Sequence, residues 1–332
     1  MIELKNDKLI ISFPEVHKDA RATIDFKRTL RIPDDGQTYP LPPGFSNFEL
    51  RHVEDYAHTA PEWQAKGGVM MSMYQAEALW LNFNGDYPIA LKVGTGKINA
   101  IDGANWKEGL TRRSSAPSEW RITRPNDGQN YVVIPEQPWL DGYCVDKGVI
   151  AQFVAMPLGQ GSTAEEQING TTEGGIQLQA FPLKAEKWEA ILEERRRKRE
   201  LDAMRPPVAY SMVVCEDMGL APGGRMKQHI YRDKYAPDDW DIGTTSRCWI
   251  HICNSEKWER ITKEKPPHAP YSMEEYTKAG LPWFEYYGED PALTGSKVLN
   301  NLKTISEFPV DAKTSPLSSH KVTDTLDEDV PF

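Results

Sequence analysis

Seven basic residues and two tryptophans lie close together between positions 91 and 124 of the chain. They are Lys92, Lys97, Trp106, Lys107, Arg112, Arg113, Trp120, Arg121 and Arg124. Three acids oppose the seven bases, which leaves a local charge of +4. Basic side chains that follow a phosphate backbone, with aromatic rings on which bases stack, are the groups that bind single-stranded nucleic acid. The pattern predicts such a contact, and the alternative is an ordinary surface loop whose tryptophans pack into the core.

A second segment, Cys248-Trp249-Ile250-His251-Ile252-Cys253, has residue types that bind metal ions. Side chains alternate along a strand, so His251 and Cys253 would share a face while Cys248 points the other way. A zinc site needs about four converging ligands, usually from paired C-x-x-C motifs, and the chain has no such pair. We therefore predict a buried strand here, with no metal ion and no cofactor.

Two glycine-containing segments resemble phosphate-binding loops but lack their defining residues. Pro157–Glu166 has neither the lysine of a phosphate-binding loop nor the third glycine of a dinucleotide fingerprint. Its sequence favours a turn and a short helix capped by Ser162 or Thr163. Val93–Lys97 is typical of a hairpin turn. No G-x-S-x-G motif occurs and the seven histidines are scattered, so no catalytic residue is predicted.

The elements that must position these residues are mostly short strands bounded by Gly, Pro, Asn or Asp. Segment 76–81 fits either a short helix or a buried strand. The predicted strands are Leu9–Phe13, Ala22–Ile32, Ile89–Val93, Tyr131–Ile134, Val149–Met156, Ile176–Phe181, Val208–Cys215, Met226–Tyr231 and Cys248–Cys253. A short helix is predicted at Met273–Ala279.

One long helix is predicted at Ala185–Met204, because apolar residues recur there at spacings of three and four and two prolines follow. Its charge run, Glu193–Glu200, is typical of a solvated face with ion pairs between turns, and a nucleic-acid contact is the alternative. The predicted class is β-rich α+β, with antiparallel sheets in two lobes, one long connecting helix and a disordered acidic tail. The predicted divisions are 1–183, 184–207, 208–310 and 311–332.

The totals restrict the kinds of partner. The chain has 332 residues and a net charge of −10, which argues against a protein that coats duplex DNA through general positive charge. No apolar run approaches the roughly 18 residues of a membrane-spanning helix, so no membrane partner is predicted. Four cysteines and a charged N-terminal segment favour a cytoplasmic protein.

The chain ends in an acidic run closed by Val330, Pro331 and Phe332. This ending resembles the C-terminal tip of bacterial single-stranded DNA-binding proteins, which recruits enzymes of replication and repair. In that family the phenylalanine fills an apolar pocket, its carboxylate meets an arginine and the acids meet a basic rim. The resemblance implies that Pro331 and Phe332 anchor a partner while Asp327, Glu328 and Asp329 steer it. That family's small N-terminal oligonucleotide-binding domain is not recognisable here.

Several segments of the body, such as Gln152–Gly159 and Met218–Arg225, resemble those of an uncharacterised family of bacterial proteins, which implies one evolutionary unit. The sequence as a whole predicts a cytoplasmic binding protein of DNA metabolism that contacts single-stranded DNA and recruits proteins through its tip. Two alternatives stay open. One is a protein-interaction or structural module without DNA binding, and the other is an enzyme whose site is assembled only in three dimensions. The sequence leaves the oligomeric state undetermined.

Overall fold

Two β-sheets form the main framework of the protein. A computed structural model describes residues 1–112, 128–202, 221–269, 293 and 295–307. Within these residues one sheet has ten strands and the other has seven.

The ten-stranded sheet is antiparallel at all but one pairing. In spatial order its main strands are β1 (Ile2–Lys5), β2 (Lys8–Ser12), β3 (Arg21–Thr29), β8 (Ala78–Asn84), β14 (Val149–Val154), β16 (Ala221–Lys227) and β4 (Thr38–Tyr39). Three further strands pair beside this path: β5 (Gly44–Asn47) with β3, β12 (Trp139–Leu140) with β8, and β13 (Gly142–Asp146) with β14. The parallel pairing joins β16 and β4.

The seven-stranded sheet is also mixed. Its order is β10 (Ile98–Asn99), β9 (Ile89–Thr95), β15 (Ile176–Pro182), β17 (Ser246–Asn254), β7 (Val69–Met73) and β6 (Leu50–His52), with β11 (Val132–Ile134) paired beside β9. Strands β17 and β7 run parallel.

Helices are few in the described part of the chain. They are α1 (Pro61–Lys66), α2 (Ala164–Asn169), α3 (Ala185–Asp202), α4 (Ser255–Thr262) and α5 (Lys297–Asn300), with 3-10 turns at Val53–Asp55, Pro237–Asp239 and Ile305–Glu307. The Thr163 hydroxyl caps α2 by accepting a hydrogen bond from the Glu166 amide, and the Thr163 amide donates one to the Glu166 carboxylate. None of the described helices has the length and apolar character needed to cross a membrane.

The two sheets share one hydrophobic core. Phe26 and Leu81 from the first sheet and Val93, Leu178 and Ile250 from the second are at most 1% exposed and belong to the same cluster. Truncating one such side chain to alanine leaves a cavity and costs about 2–5 kcal/mol. This packing fixes which side of the second sheet faces inward, and therefore which side faces away from the core.

The predicted β-rich α+β class is confirmed, and both sheets are mixed rather than purely antiparallel. The ambiguous segment 76–81 enters strand β8, and the predicted long helix is α3. Strands β16 and β17 follow α3 in the chain but pair with β14 and β15, so regions 1–183 and 208–310 build the same two sheets. The predicted strand Val208–Cys215, the helix Met273–Ala279 and the tail 311–332 lie outside the described residues.

Candidate nucleic-acid interface

The side of the seven-stranded sheet that points away from the core carries polar and aromatic side chains. Gly94, Gln177 and Trp249 lie directly opposite one another on β9, β15 and β17, so they point to the same side. Their chain neighbours Val93, Leu178 and Ile250 point to the core. We call this side the outer face, defined by Lys66, Lys97, Trp106, Lys107, Arg247 and Trp249.

Trp106 packs onto the outer face above Gly94. A Cβ atom at position 94 would stand 2.5 Å from the Trp106 ring, so glycine is the residue that leaves room for the indole. The amide of Trp106 also donates to the Lys97 carbonyl at 2.7 Å, which fixes the loop that carries the ring. Because strands lie about 4.8 Å apart, the backbone positions of Gly94, beneath Trp106, and of Trp249 are roughly 10 Å apart across β15.

Trp249 belongs to a row of stacked rings. His251, two residues further along β17, lies between Trp249 and Trp63 of α1, with ring centroids 6.0 and 4.8 Å away. His251 is 1% exposed, and this burial lowers its pKa to about 4. Its imidazole is therefore neutral at pH 7 and donates from Nε2 to the Gly67 carbonyl at 3.0 Å. The row is an aromatic platform whose Trp249 and Trp63 rings are partly exposed.

Four cations surround these rings. Lys66 lies with its Nζ 4.2 Å from the centre of the Trp249 ring, a cation–π contact. Arg247 and Glu108 form an ion pair, and Lys107 is exposed beside Trp106. Glu173 binds both Lys66 and Lys97, and Glu54 lines the same hollow as Lys66, Arg247 and Trp249. Among the described residues, four cations against these three carboxylates leave a local charge of +1, although the whole chain carries −10.

A buried carboxylate positions the loops of Lys97 and Glu173. Glu165 of α2 is 2% exposed and accepts hydrogen bonds from the Lys97 amide at 3.1 Å, the Gly174 amide at 2.5 Å and the Thr171 hydroxyl at 3.1 Å. Gly96 has φ +51° and packs directly against this carboxylate, where a Cβ atom would clash. One side chain thus holds the 94–97 turn and the 171–175 loop in fixed positions.

Lys92, predicted to contact nucleic acid, is a structural residue instead. It is 1% exposed, and its Nζ donates to the carbonyls of Gly109, at 2.8 Å, and Lys107. The same Nζ lies 4.7 Å from the Trp106 ring centre. Burial lowers the pKa of Lys92 to about 8. Its ammonium group holds the 107–109 loop in place and is not presented to a ligand.

Arg112, also predicted to contact nucleic acid, is engaged inside the protein. Its guanidinium lies 3.1 Å from the Asp233 carboxylate and donates to the Tyr235 carbonyl. Asp233 is fully buried and also accepts from the Tyr131 hydroxyl at 2.6 Å and the Trp240 indole at 3.0 Å. We call these four side chains, Arg112, Tyr131, Asp233 and Trp240, the Asp233 cluster. In this position Arg112 supports folding.

The structure brings three of the sequence-predicted residues, Lys97, Trp106 and Lys107, to the outer face. Arg113, Trp120, Arg121 and Arg124 lie outside the described residues, as does the tip Asp327–Phe332. Sequence reasoning missed Trp63, Lys66, Arg247 and Trp249. The signal that could have found two of them is the alternation along β17, where Arg247, Trp249 and His251 recur at every second position.

A separate cleft of about 280 Å³ opens where strands of both sheets end. Its walls are mainly apolar and include Met73, Met156, Leu158 and Ile252. Glu165 lines it, but the Glu165 carboxylate already accepts the three hydrogen bonds described above. Within the described ranges, no three His, Cys, Asp or Glu side chains are grouped so that they could hold a metal ion.

The chain matches no protein-family model, no curated protein and no solved structure. The functional argument therefore depends on the geometry of the outer face and on the sequence of the tip.

Proposed function

We propose that the protein is a binding protein of DNA metabolism that contacts single-stranded nucleic acid and recruits partner proteins through its C-terminal tip. The observation that carries this proposal is the grouping of Trp106 and Trp249 with four cations on one sheet face of an acidic chain. The alternative of an interaction module without DNA binding gives no reason for this grouping.

The outer face supplies the two kinds of contact that single strands use. A base that stacks on an exposed indole contributes about 1–3 kcal/mol with little dependence on sequence, because every base has a π face. Lysine and arginine contribute by releasing counterions from phosphates, so affinity falls as salt rises. Since the net local charge is only +1, we expect binding that is weak at physiological ionic strength and much tighter at low salt.

The tip supports the recruitment half of the proposal through its resemblance to tips of single-stranded DNA-binding proteins. The acids of the tip repel nucleic acid and favour a basic surface on a partner protein. The tip would therefore recruit proteins, while the outer face contacts nucleic acid. Asp327, Glu328 and Asp329 would steer the encounter, and Pro331 with Phe332 would fill an apolar pocket of the partner.

The nucleic-acid half is tested by fluorescence anisotropy of a labelled oligothymidylate at low and at physiological ionic strength. Lys107→Glu should weaken binding about fivefold at low salt, because a phosphate contact becomes a repulsion. Lys18→Glu is the matched control, since Lys18 is 81% exposed and lies in the loop between β2 and β3. No binding at low salt, or equal weakening by both variants, would contradict a contact at the outer face.

The recruitment half is tested by removing the last nine residues, Asp324–Phe332. Enzymes of replication and repair that read such tips should be retained by the full chain and lost by the truncated one. Phe332→Ala should reproduce most of the loss, because the ring is the proposed anchor. Both variants should unfold at the same temperature as the full chain. Equal retention by the truncated and full chains would show that the tip does not recruit.

A further inference from the structure

Glu173 occupies an unusual position between two lysines of the outer face. Its Oε2 lies 2.6 Å from Nζ of Lys66, and its Oε1 lies 2.5 Å from Nζ of Lys97. The hydrogen bonds from Lys66 and Lys97 lower the pKa of Glu173, so the bridge is a charged carboxylate at neutral pH. We call Lys66, Glu173 and Lys97 the Glu173 bridge.

The Lys66 ammonium group and the Lys97 backbone are each held by a contact other than Glu173. Lys66 ends α1, and its ammonium group lies over the Trp249 ring. The backbone of Lys97 is bound to the buried Glu165 carboxylate. Consequently, Lys66 would keep its place over Trp249 and Lys97 would keep its backbone position if the Glu173 carboxylate moved away.

The Glu173 side chain can turn away from the lysines while its backbone stays in the 171–175 loop. Its side chain is 28% exposed, and it precedes Gly174 and Gly175 at the end of a loop. Ion pairs that water can reach contribute little to folding, and both partners here are about a quarter exposed, so exchanging this carboxylate for another anion costs the protein little. The two non-bridging oxygens of a phosphodiester are spaced much like those of a carboxylate and suit the same pair of donors.

We infer that Lys66 and Lys97 form a phosphate site beside Trp249, and that Glu173 fills it until a phosphate group replaces it. This inference rests on the proposed function for the identity of the phosphate donor, a single strand that crosses the outer face. Glu173 thereby lowers the affinity for nucleic acid and makes binding an exchange of anions.

Glu173→Gln tests the inference because it removes the competing charge and keeps the side-chain shape. Oligothymidylate affinity should rise about tenfold at low salt, and the slope of log affinity against log salt should steepen by about 0.7 for each lysine released. Lys97→Gln added to this variant should abolish most of the gain. Glu15→Gln is the matched control, because it changes net charge equally at an exposed turn after β2. Equal gains from Glu173→Gln and Glu15→Gln would overturn the site.

A second measurement separates this inference from the proposed function. Inorganic phosphate is titrated into wild type and Glu173→Gln while the ¹³Cε signals of Lys66 and Lys97 are followed by NMR. Shifts of both signals that saturate at lower phosphate in the variant support the site. Such shifts without oligothymidylate binding would keep the phosphate site and contradict the proposed function. Oligothymidylate binding that Glu173→Gln leaves unchanged would keep the proposed function and overturn the site, and absence of both responses would overturn both.

Discussion

The Asp233 cluster and the Glu173 bridge both consist of a carboxylate bound by several donors, but they have different roles. Each places one carboxylate between donors within about 3 Å. The Asp233 carboxylate is fully buried, whereas the side chain of Glu173 is 28% exposed. A buried charge depends on its partners because water cannot replace them, while water and salt compete at an exposed pair. The Asp233 cluster is therefore part of the folded framework, and the Glu173 bridge can exchange its anion.

The same contrast separates two lysines that are five positions apart. Lys92 points into a sealed part of the outer face under Trp106, and Lys97 lies in the exposed turn that follows. Residue type and local charge density are alike for both. Accessibility to solvent decides which cation supports structure and which can meet a ligand.

The largest effect expected from this comparison is on folding. Asp233→Asn should lower the free energy of unfolding by about 3 kcal/mol or more, because the partly buried Arg112 loses its counter-ion. Urea denaturation measures the change. Glu173→Gln is the control and should cost less than about 1 kcal/mol. Similar losses of unfolding free energy in the two variants would contradict the proposed difference between the Asp233 cluster and the Glu173 bridge.

A pH profile tests the burial of Lys92. Its pKa is lowered to about 8 in the folded protein from 10.5, so between these pH values the unfolded chain binds a proton that the folded protein does not. Stability should therefore rise with pH across this window, by up to about 3 kcal/mol for this group. Below pH 8 both states are protonated and the full burial penalty remains.

Lys92→Met isolates this contribution, since other groups titrate equally in both proteins. The stability of wild type minus that of Lys92→Met, from urea denaturation at pH 8 and above, should increase as pH rises. A difference that stays flat would show that the Lys92 ammonium is solvated.

Gly94→Ala tests how the Trp106 ring packs on the outer face. The added methyl would stand 2.5 Å from the indole, so the ring must shift, at a cost of about 1–3 kcal/mol in unfolding free energy. Oligothymidylate affinity should fall in the same variant because the stacking surface moves. Gly243→Ala is the control, where the added methyl meets its nearest atom at an ordinary 3.4 Å. If Gly94→Ala is destabilised but binds oligothymidylate as tightly as wild type, Trp106 does not contact the nucleic acid.

The smallest expected effect is a dependence on salt. The difference in unfolding free energy between wild type and Glu173→Gln should shrink from under about 1 kcal/mol towards zero as salt rises, because the Debye length falls from about 10 Å at 0.1 M to 3 Å at 1 M. The difference between wild type and Asp233→Asn should stay constant over the same range. A salt-dependent Asp233 contribution would show that water reaches that carboxylate.

Local sequence signals predicted much of the strand and helix content. Alternating and β-branched runs located strands such as β9, β15 and β17, and the prolines after position 205 placed the end of the long helix near that of α3. The interpretation of Thr163 as a helix cap is confirmed by its hydrogen bond with Glu166. These features depend on contacts within a few residues, which one sequence records directly.

The candidate site could be predicted only in part. Lys97, Trp106 and Lys107 were found because they are neighbours in sequence. Lys66 and Trp249 are brought to them by the pairing of β17 with β15, about 70 residues earlier in the chain, and with β7, about 180 residues earlier. A local sequence pattern does not show which distant residue a side chain will contact. Sequence reasoning therefore assigned Arg112 to nucleic acid, whereas in the structure Arg112 forms an ion pair with Asp233.

The sequence by itself determined the β-rich class, the positions of several longer strands and of the long helix, the overall acidity and an acidic run before Phe332. The tertiary structure decided which cations are accessible, which side of the seven-stranded sheet faces outward and that Glu173 bridges two lysines. The physical reason is that residue type sets the charge of a side chain, whereas its solvation and partners depend on segments distant in sequence. Those distant contacts make Lys92 a structural residue and Lys97 a candidate ligand contact.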